Sequence, residues 1–451
     1  MKGRFRLFGE CIHGIRKTKF HHVTTLQQLS NDMNFAKGTV RNLWVPVALS
    51  FLLATPLWAS DWPQLLGPAR NGISPETNLA AGWPKEGPLV AWQKKVGEGF
   101  SGPVVAEGKL IMFHRLGNVE AVECLDAKTG KALWKSDYRT DYRDDFSRGD
   151  GPRATPAIAD GKVYTFGAEG TLNCWNLTNG AKVWRVDTTK QFSARKGFFG
   201  VACSPLVEGK AVMLNIGGVD GAGIVAFDES TGKVIWKATD DEASYSSPVA
   251  ATVNGTRMVF FFTRTGLAAI DPSQGKVLLK FPWRARMHAS VNAATPLIIG
   301  DLIFLSASYQ TGAILQRLKP DNSLEKIWAS DDVLSNHYAT SVYRDGFLYG
   351  IDGRHDFGNT ELRCVEWQTG KLRWTQPGLT AANVTLAGDQ LLVLTEKGEL
   401  ILAAATPEKF KETARAQILG SGVRAYPALA DGLFYARSQE KLVCVDLRAQ
   451  N

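Results

Sequence analysis

DAKTGKALW, running from Asp126 to Trp134, holds an acidic residue, a polar turn closed by Gly, and a short apolar run that ends in Trp. That order describes the end of one β-strand, a tight hairpin that needs a positive φ, and the strand that follows it. The arrangement returns as NLTNGAKVW (Asn176 to Trp184), DESTGKVIW (Asp228 to Trp236) and DPSQGKVLL (Asp271 to Leu279). It continues, more worn, as PDNSLEKIW (Pro320 to Trp328), EWQTGKLRW (Glu366 to Trp374) and TPEKFKETA (Thr406 to Ala414). An eighth copy is divided between the ends of the chain: LVAWQKKV (Leu89 to Val96) supplies the Trp-bearing strand and LVCVD (Leu442 to Asp446) the strand before it.

A second pattern lies between these copies. A small residue, usually with Pro, precedes an apolar strand, a Gly turn and another apolar strand. Its copies begin near Pro103, Pro156, Pro205, Pro248, Pro296, Ser341, Leu386 and Pro427, with turn glycines at Gly108, Gly161, Gly209, Gly255, Gly300, Gly346, Gly388 and Gly432. Four short strands per unit of roughly 40–50 residues is the period of a propeller blade. The expected fold is therefore all-β: an eight-bladed β-propeller of four-stranded antiparallel blades over residues 89–451. Pairing of the N- and C-terminal strands closes the ring and removes the free edges a linear array would leave. The Trp is expected on the outermost strand, filling the wedge between neighbouring blades.

The formal charge of +8 does not mark a nucleic-acid surface. Residues 1–59 carry eight Lys or Arg against Glu10 and Asp32, so +6 resides there and the rest is close to neutral. Lys37 and Arg41 precede an apolar run from Leu43 to Ala54, Pro56 breaks it, and Leu57-Trp58-Ala59 leads to Ser60. This reads as a signal peptide over residues 33–59 with cleavage near Ala59/Ser60, beginning at Met33, with residues 1–32 an extension or disordered preface. The run is short for a span that needs about 20 residues. The body is expected in the periplasm or secreted, as a monomer, touching the membrane only through the signal segment. Residues 60–88 are a lead-in to the propeller.

The Asp-x-x-x-Gly-Lys-x-x-Trp element resembles the tryptophan-docking repeat of quinoprotein alcohol dehydrogenases and their non-enzymatic relatives, and covers residues 89–446. DWPQLLGPARNGIS (Asp61 to Ser74) and GDGPRATPAIADGKVYTFGAEG (Gly149 to Gly170) resemble the pyrroloquinoline-quinone-like (PQQ-like) propellers of some environmental bacteria. The resemblance implies the fold and leaves three functions open: a ligand- or protein-binding propeller without catalysis, a PQQ- and calcium-dependent alcohol or sugar dehydrogenase, and a scaffold like the propeller of the outer-membrane assembly machinery. Family dehydrogenases often carry an adjacent Cys pair, which this chain lacks, and no Cys-x-x-Cys-His haem motif is present. No Cys follows the apolar run to take a lipid. The binding reading leads.

Cys124, Cys174, Cys364 and Cys444 share a repeat position that other copies fill with Ala226, Ala269, Leu318 and Ala404, so they read as small buried packing residues. Residues that open the innermost strands converge on one end of the central channel. That set comprises Phe100, Ser101, Arg153, Cys203, Tyr245, His288, Asn292, His337, Tyr338, Asn383 and Arg424. Arg153, Tyr245, His288, His337 and Arg424 are the candidates for a small polar or anionic ligand, because guanidinium forks, imidazoles and a phenol suit carboxylates. His288 and His337 lie in different blades, which speaks against a metal site, and His355 reads as a turn residue beside Asp356. Between Asp137 and Arg153, aspartates alternate with arginines, the pattern of solvated ion pairs more than of a calcium loop.

Overall fold

The structure, a computed structural model, describes residues 60–449 apart from 147, 148, 286, 288 and 289. The leader expected over residues 1–59 and the candidate His288 lie outside the described residues. Among those described, no helix is long and apolar enough to cross a membrane.

Strands group into eight antiparallel sheets, each in simple sequential order. Blade 1 comprises Val104–Ala106, Lys109–Leu116, Val119–Asp126 and Ala132–Arg139, from the axis outward. Blades 2 to 7 repeat this order, beginning with Ala157–Ala159, Leu206–Glu208, Val249–Val253, Leu297–Ile299, Val342–Arg344 and Ala382–Ala387. Blade 8 has Ala428–Ala430, Leu433–Arg437 and Lys441–Asp446, and its outermost strand is Leu89–Lys95, paired antiparallel from Leu89↔Asp446 to Lys95↔Lys441. The ring is thus closed by its two ends, as the divided repeat requires.

Glycines of two kinds shape the blades. The eight glycines of the second pattern all have φ between 57° and 86°. At Gly108, Gly161, Gly209, Gly255, Gly300 and Gly346 a Cβ would meet nothing, so conformation alone selects them. The glycines of the first pattern are chosen by space as well. A Cβ on Gly130, Gly180, Gly232, Gly275 or Gly370 would stand no farther than 2.7 Å from a ring carbon of Trp92, Trp134, Trp184, Trp236 or Trp328, each on the outer strand of the preceding blade. Each indole N–H also donates to a carbonyl of the next blade's turn: Ala127, Leu177, Glu229, Pro272 and Trp367, at 2.8 to 3.1 Å. Trp374 donates to the Thr406 carbonyl (2.8 Å) and packs edge-on to Phe410 where the turn has no Gly.

Near the axis a ring of hydroxyls continues this stitching. Gly102 N–H donates to Thr155 Oγ1, Thr155 N–H to Ser204 Oγ, Ser204 N–H to Ser247 Oγ and Thr295 N–H to Thr340 Oγ1, at 2.9 to 3.1 Å. The seventh inner strand departs from expectation: with no Pro to remove an N–H, its ladder starts at Ala382↔Thr395, ahead of Leu386. The thiols of Cys124, Cys174, Cys203, Cys364 and Cys444 are buried and free, and burial pushes them up to about 11 or 12.

The lead-in is a strap that visits most of the ring. Trp62 pairs with Val105 of blade 1, and the Pro63 carbonyl accepts from Ile158 of blade 2. Ile73–Ser74 adds a parallel strand to blade 7, and Glu76 accepts from Gly432 N–H of blade 8. Between them Arg70 is 2% exposed, its guanidinium donating to the carbonyls of Pro205, Pro248 (2.8 Å) and Ser204 (3.4 Å) and to Gln64 Oε1 (2.8 Å). Burial lowers this arginine to about 10. Further on, Trp83 and Ala414 pack against the same apolar cluster, and a Cβ on the neighbouring Gly82 would stand 3.9 Å from that of Ala414, at the outer seam where the repeat supplies Ala in place of Trp on blade 7.

Candidate functional site

Antiparallel blades place two kinds of loop on one face: the connectors that open each inner strand, and the hairpins between second and third strands. Together they line an axial cavity of about 230 Å³, with Leu65 of the strap among its lining residues. Phe100, Arg153, Tyr245, His337, Tyr338 and Arg424 line it, as their position before inner strands predicts. Ser101, Cys203, Asn292 and Asn383 are buried and absent from its lining. Asn292 donates to the Thr263 carbonyl (2.8 Å) and Asn383 to those of Arg424 and Ala425 (3.2 and 3.1 Å), holding loop backbone.

The hairpins add what sequence reasoning missed. Tyr309 comes from blade 5, and His355 and Asp356 from the short 3₁₀ turn His355–Phe357 of blade 6. Glu396, from blade 7, supports them. His355 is a turn residue as expected, but its ring also lines the cavity. The signal was strand parity: a second strand runs opposite to the first, so its far end returns to the face where the first begins.

Among the described residues, every guanidinium at the cavity has a carboxylate. Arg153 binds Asp144 Oδ1 (2.9 Å) and the carbonyls of Gly151 and Gly149, and both members of this pair are buried. The aspartate loop therefore contains one buried pair as well as exposed ones such as Lys196–Asp145. Arg424 Nε binds Glu396 Oε1 (2.9 Å), its Nη2 lies 3.3 Å from His355 Nε2, and His355 Nε2 also meets Glu396 Oε2. Burial works to raise Glu396, but hydrogen bonds from His355 and Arg424 outweigh it and hold the carboxyl below its ordinary value. Arg354, behind the wall, pairs with Asp356 Oδ2 (2.7 Å). Arg153 and Arg424, expected to offer guanidinium forks to a ligand, thus have their donors largely engaged within the protein.

The imidazole of His337 is kept neutral, lowered to about 4 chiefly by burial, and its Nε2 lies 3.2 Å from Tyr309 Oη. Among the described residues, His337 Nδ1 and Tyr338 Oη are buried without a hydrogen-bond partner. Burial raises Tyr245 to about 12, while its oxygen accepts from Phe199 N–H (2.8 Å). Arg153 and Arg424 both lie over the Phe100 ring, at 5.6 and 5.7 Å.

A ring of tryptophan-docked blades around an axial cup defines the class: an eight-bladed PQQ-like propeller. The family model PQQ_2, described as outer membrane protein assembly factor BamB, matches residues 117–376, and the chain belongs to that family. Among curated proteins, the quinohemoprotein alcohol dehydrogenase ADH-IIG of Pseudomonas putida is 31% identical over 140 residues, 30% of this chain and 18% of that protein. The outer membrane protein assembly factor BamB of Kangiella koreensis is 26% identical over 215 residues, 47% of this chain and 49% of that one. The matches thus span less than half of either relative. The solved structure of BamB from Moraxella catarrhalis superposes with TM-score 0.60 at 14% identity, covering 80% of this chain and 98% of that one. The quinohemoprotein alcohol dehydrogenase of Comamonas testosteroni gives 0.59 at 15% identity, covering 87% and 81%. At such identities the likeness is one of fold.

Pyrroloquinoline quinone is a planar tricarboxylate, and the cup is a poor match for it. Asp144 and Glu396 already engage the guanidiniums of Arg153 and Arg424 that a tricarboxylate would need, and separating the buried Arg153–Asp144 pair is costly, about 3–5 kcal/mol. Among the described residues no three His, Cys, Asp or Glu side chains gather as a metal site.

Proposed function

We propose that this protein is an extracytoplasmic binding propeller whose axial cup receives a small ligand without transforming it. The observation that carries this reading is the convergence of connectors and hairpins from most blades on one cavity with aromatic, charge-paired walls and a strap residue in its lining. Propeller cavities of this kind concentrate a few polar groups in an apolar surround, the usual composition of a ligand pocket. Export is supported by the apolar run before Ser60 and by relatives whose name refers to the outer membrane.

Thermal-shift measurements on the full chain with a panel of small polar metabolites test the cup. A ligand should raise the midpoint of the wild type and not that of Tyr245→Ala, each judged against its own baseline. Equal rises in both would move binding elsewhere. Incubation with PQQ and calcium, followed by dye-linked alcohol oxidation, tests the oxidoreductase reading; turnover would replace the present proposal.

A scaffold role is favoured by a separate observation. Outer strands expose apolar side chains immediately before the docking Trp (Leu133, Val183, Ile235) or two residues before it (Val90, Val234, Leu372). Such side chains would serve a protein partner.

A further inference from the structure

We infer that the ligand of the cup is an uncharged polyhydroxylated ring, a neutral mono- or disaccharide; this rests on the reading of the cup as a small-ligand site. The first ground is charge. Among the described residues, Arg153, Arg424 and Arg354 at and behind the wall are matched by Asp144, Glu396 and Asp356, three cations against three anions. An anion entering this space gains from each guanidinium and loses to the carboxylate beside it, and a cation meets the converse. A neutral ligand enters without disturbing a pair.

The second ground is hydrogen-bond type. A hydroxyl both donates and accepts, whereas a carboxylate only accepts. A guanidinium–carboxylate pair presents donors and acceptors on neighbouring atoms, which is what vicinal hydroxyls require. Arg424 Nη1 makes no hydrogen bond among the described residues, and His337 Nδ1 and Tyr338 Oη, at the same wall, have no partner. A flat aromatic hydrocarbon would leave all of these unused.

The third ground is the aromatic surface. Phe100, Phe199, Tyr245 and Tyr309 bring four aromatic rings to the lining, apolar surface of the kind that packs against the C–H side of a sugar. Tyr309 is held there at a conformational cost: it has φ 68° and Gln310 φ 59°, two successive side-chain-bearing residues in the left-handed region. Arg354 lies 4.3 Å over the Tyr309 ring and His337 meets its hydroxyl, so the surroundings fix what the backbone disfavours. Strain of this sort gathers where a side chain must be aimed. The cavity, at about 230 Å³, is below the roughly 300–1,000 Å³ of most ligand pockets and favours the smallest of these ligands, a single ring or a compact pair.

The test is calorimetry on the full chain with glucose, galactose, cellobiose, glucuronate, PQQ and indole. At least one neutral sugar should bind more tightly than about 1 mM, and glucuronate should bind about tenfold more weakly than glucose. Tyr309→Ala should abolish sugar binding, with the thermal midpoint reporting that the variant is folded. Glu396→Gln gives a readout that a merely structural role would not produce. It leaves Arg424 without its carboxylate, so the glucuronate-to-glucose affinity ratio should rise about tenfold. Tighter binding of glucuronate, PQQ or indole than of every sugar, lost in Tyr309→Ala, would overturn the ligand class and leave the cup as a binding site. Absence of binding by all six probes would overturn both.

Discussion

The seam between blades 1 and 2 and the seam between blades 4 and 5 join the same kind of sheet by different means. At the first, Trp134 lies on Gly180 and donates to the Leu177 carbonyl, and Gly102 N–H reaches Thr155 near the axis. At the second, Leu279 stands where Trp is expected, and among the described residues no hydrogen bond joins Ser247 to Thr295. Asn254 Nδ2 donates to the Leu318 carbonyl (2.8 Å), and Leu279, Phe281 and Ile298 pack against the apolar cluster shared by the two blades. Both seams keep directional bonds near the axis. At the second, Tyr245 and Ser246 N–H donate to the Asn292 carbonyl (3.0 and 2.9 Å) and Asn292 Nδ2 to the Thr263 carbonyl (2.8 Å). What differs is the outer radius, where Leu279 replaces a docked indole. The difference teaches that repeat regularity is spent on holding blades together, and is relaxed beside the wall that carries Tyr309.

Truncating the two seams should give the largest contrast. Trp134→Ala should cost about 3–5 kcal/mol in denaturant unfolding, and Leu279→Ala about 1–2 kcal/mol, since a half-buried Leu loses less. Equal losses would erase the distinction. The wall next to the weaker seam has its own pH dependence. His337 is near 4 in the folded chain and near 6.5 when unfolded, so the unfolded state binds the extra proton between those values. Stability should therefore fall as pH drops from 6.5 to 4, by up to about 3 kcal/mol, and level off below. His337→Gln should lose less than the wild type between pH 7.5 and 4.5; matching losses would show that His337 is not the group.

Two glycines sharpen the comparison at smaller scale. Gly180→Ala should cost about 2–3 kcal/mol, because it strains the backbone and displaces an indole, while Gly161→Ala, with open space around it, should cost only about 1 kcal/mol. At the bottom of the series, the exposed Lys131→Ala should change stability by less than about 0.5 kcal/mol. Unfolding midpoints that fail to rank Gly180 above Gly161 would deny the ring a docking role.

Local pattern made the architecture legible. Asp126 to Trp134 and its copies announce hairpin, Gly turn and docking Trp within nine residues, and the inner connectors that bring Arg153, Tyr245, His337 and Arg424 to one opening follow from counting strands. What stayed hidden is non-local. Nothing near Arg70 in sequence announces the carbonyls of Pro205 and Pro248, and nothing near Arg424 announces Glu396 and His355. Arg153–Asp144 and Arg354–Asp356 are local pairs, within one loop and one turn, whereas Arg424–Glu396 joins two blades, so residue types were readable and the complete pairing of the cup was not. Ala414 shows the same limit: it looks like decay of the repeat until Trp83, more than 300 positions away, is seen to pack against the same apolar cluster.

The strap also sets a timetable. Glu76 and Gly432, bonded to each other, are separated by 356 residues, and Gly99 N–H reaches Gln439 Oε1 across 340. Residues made among the first must therefore wait for blades made among the last, and contacts between such distant positions form slowly because loop-closure entropy must be overcome before they contribute. Each blade can pair its own strands as it emerges, while Leu65 and Arg70 find their partners only once the circle exists. A maturing chain would thus pass through a late stage with blades formed and the axis still open, and proteolysis between residues 61 and 79 should report it: early sensitivity followed by protection as the last blade locks.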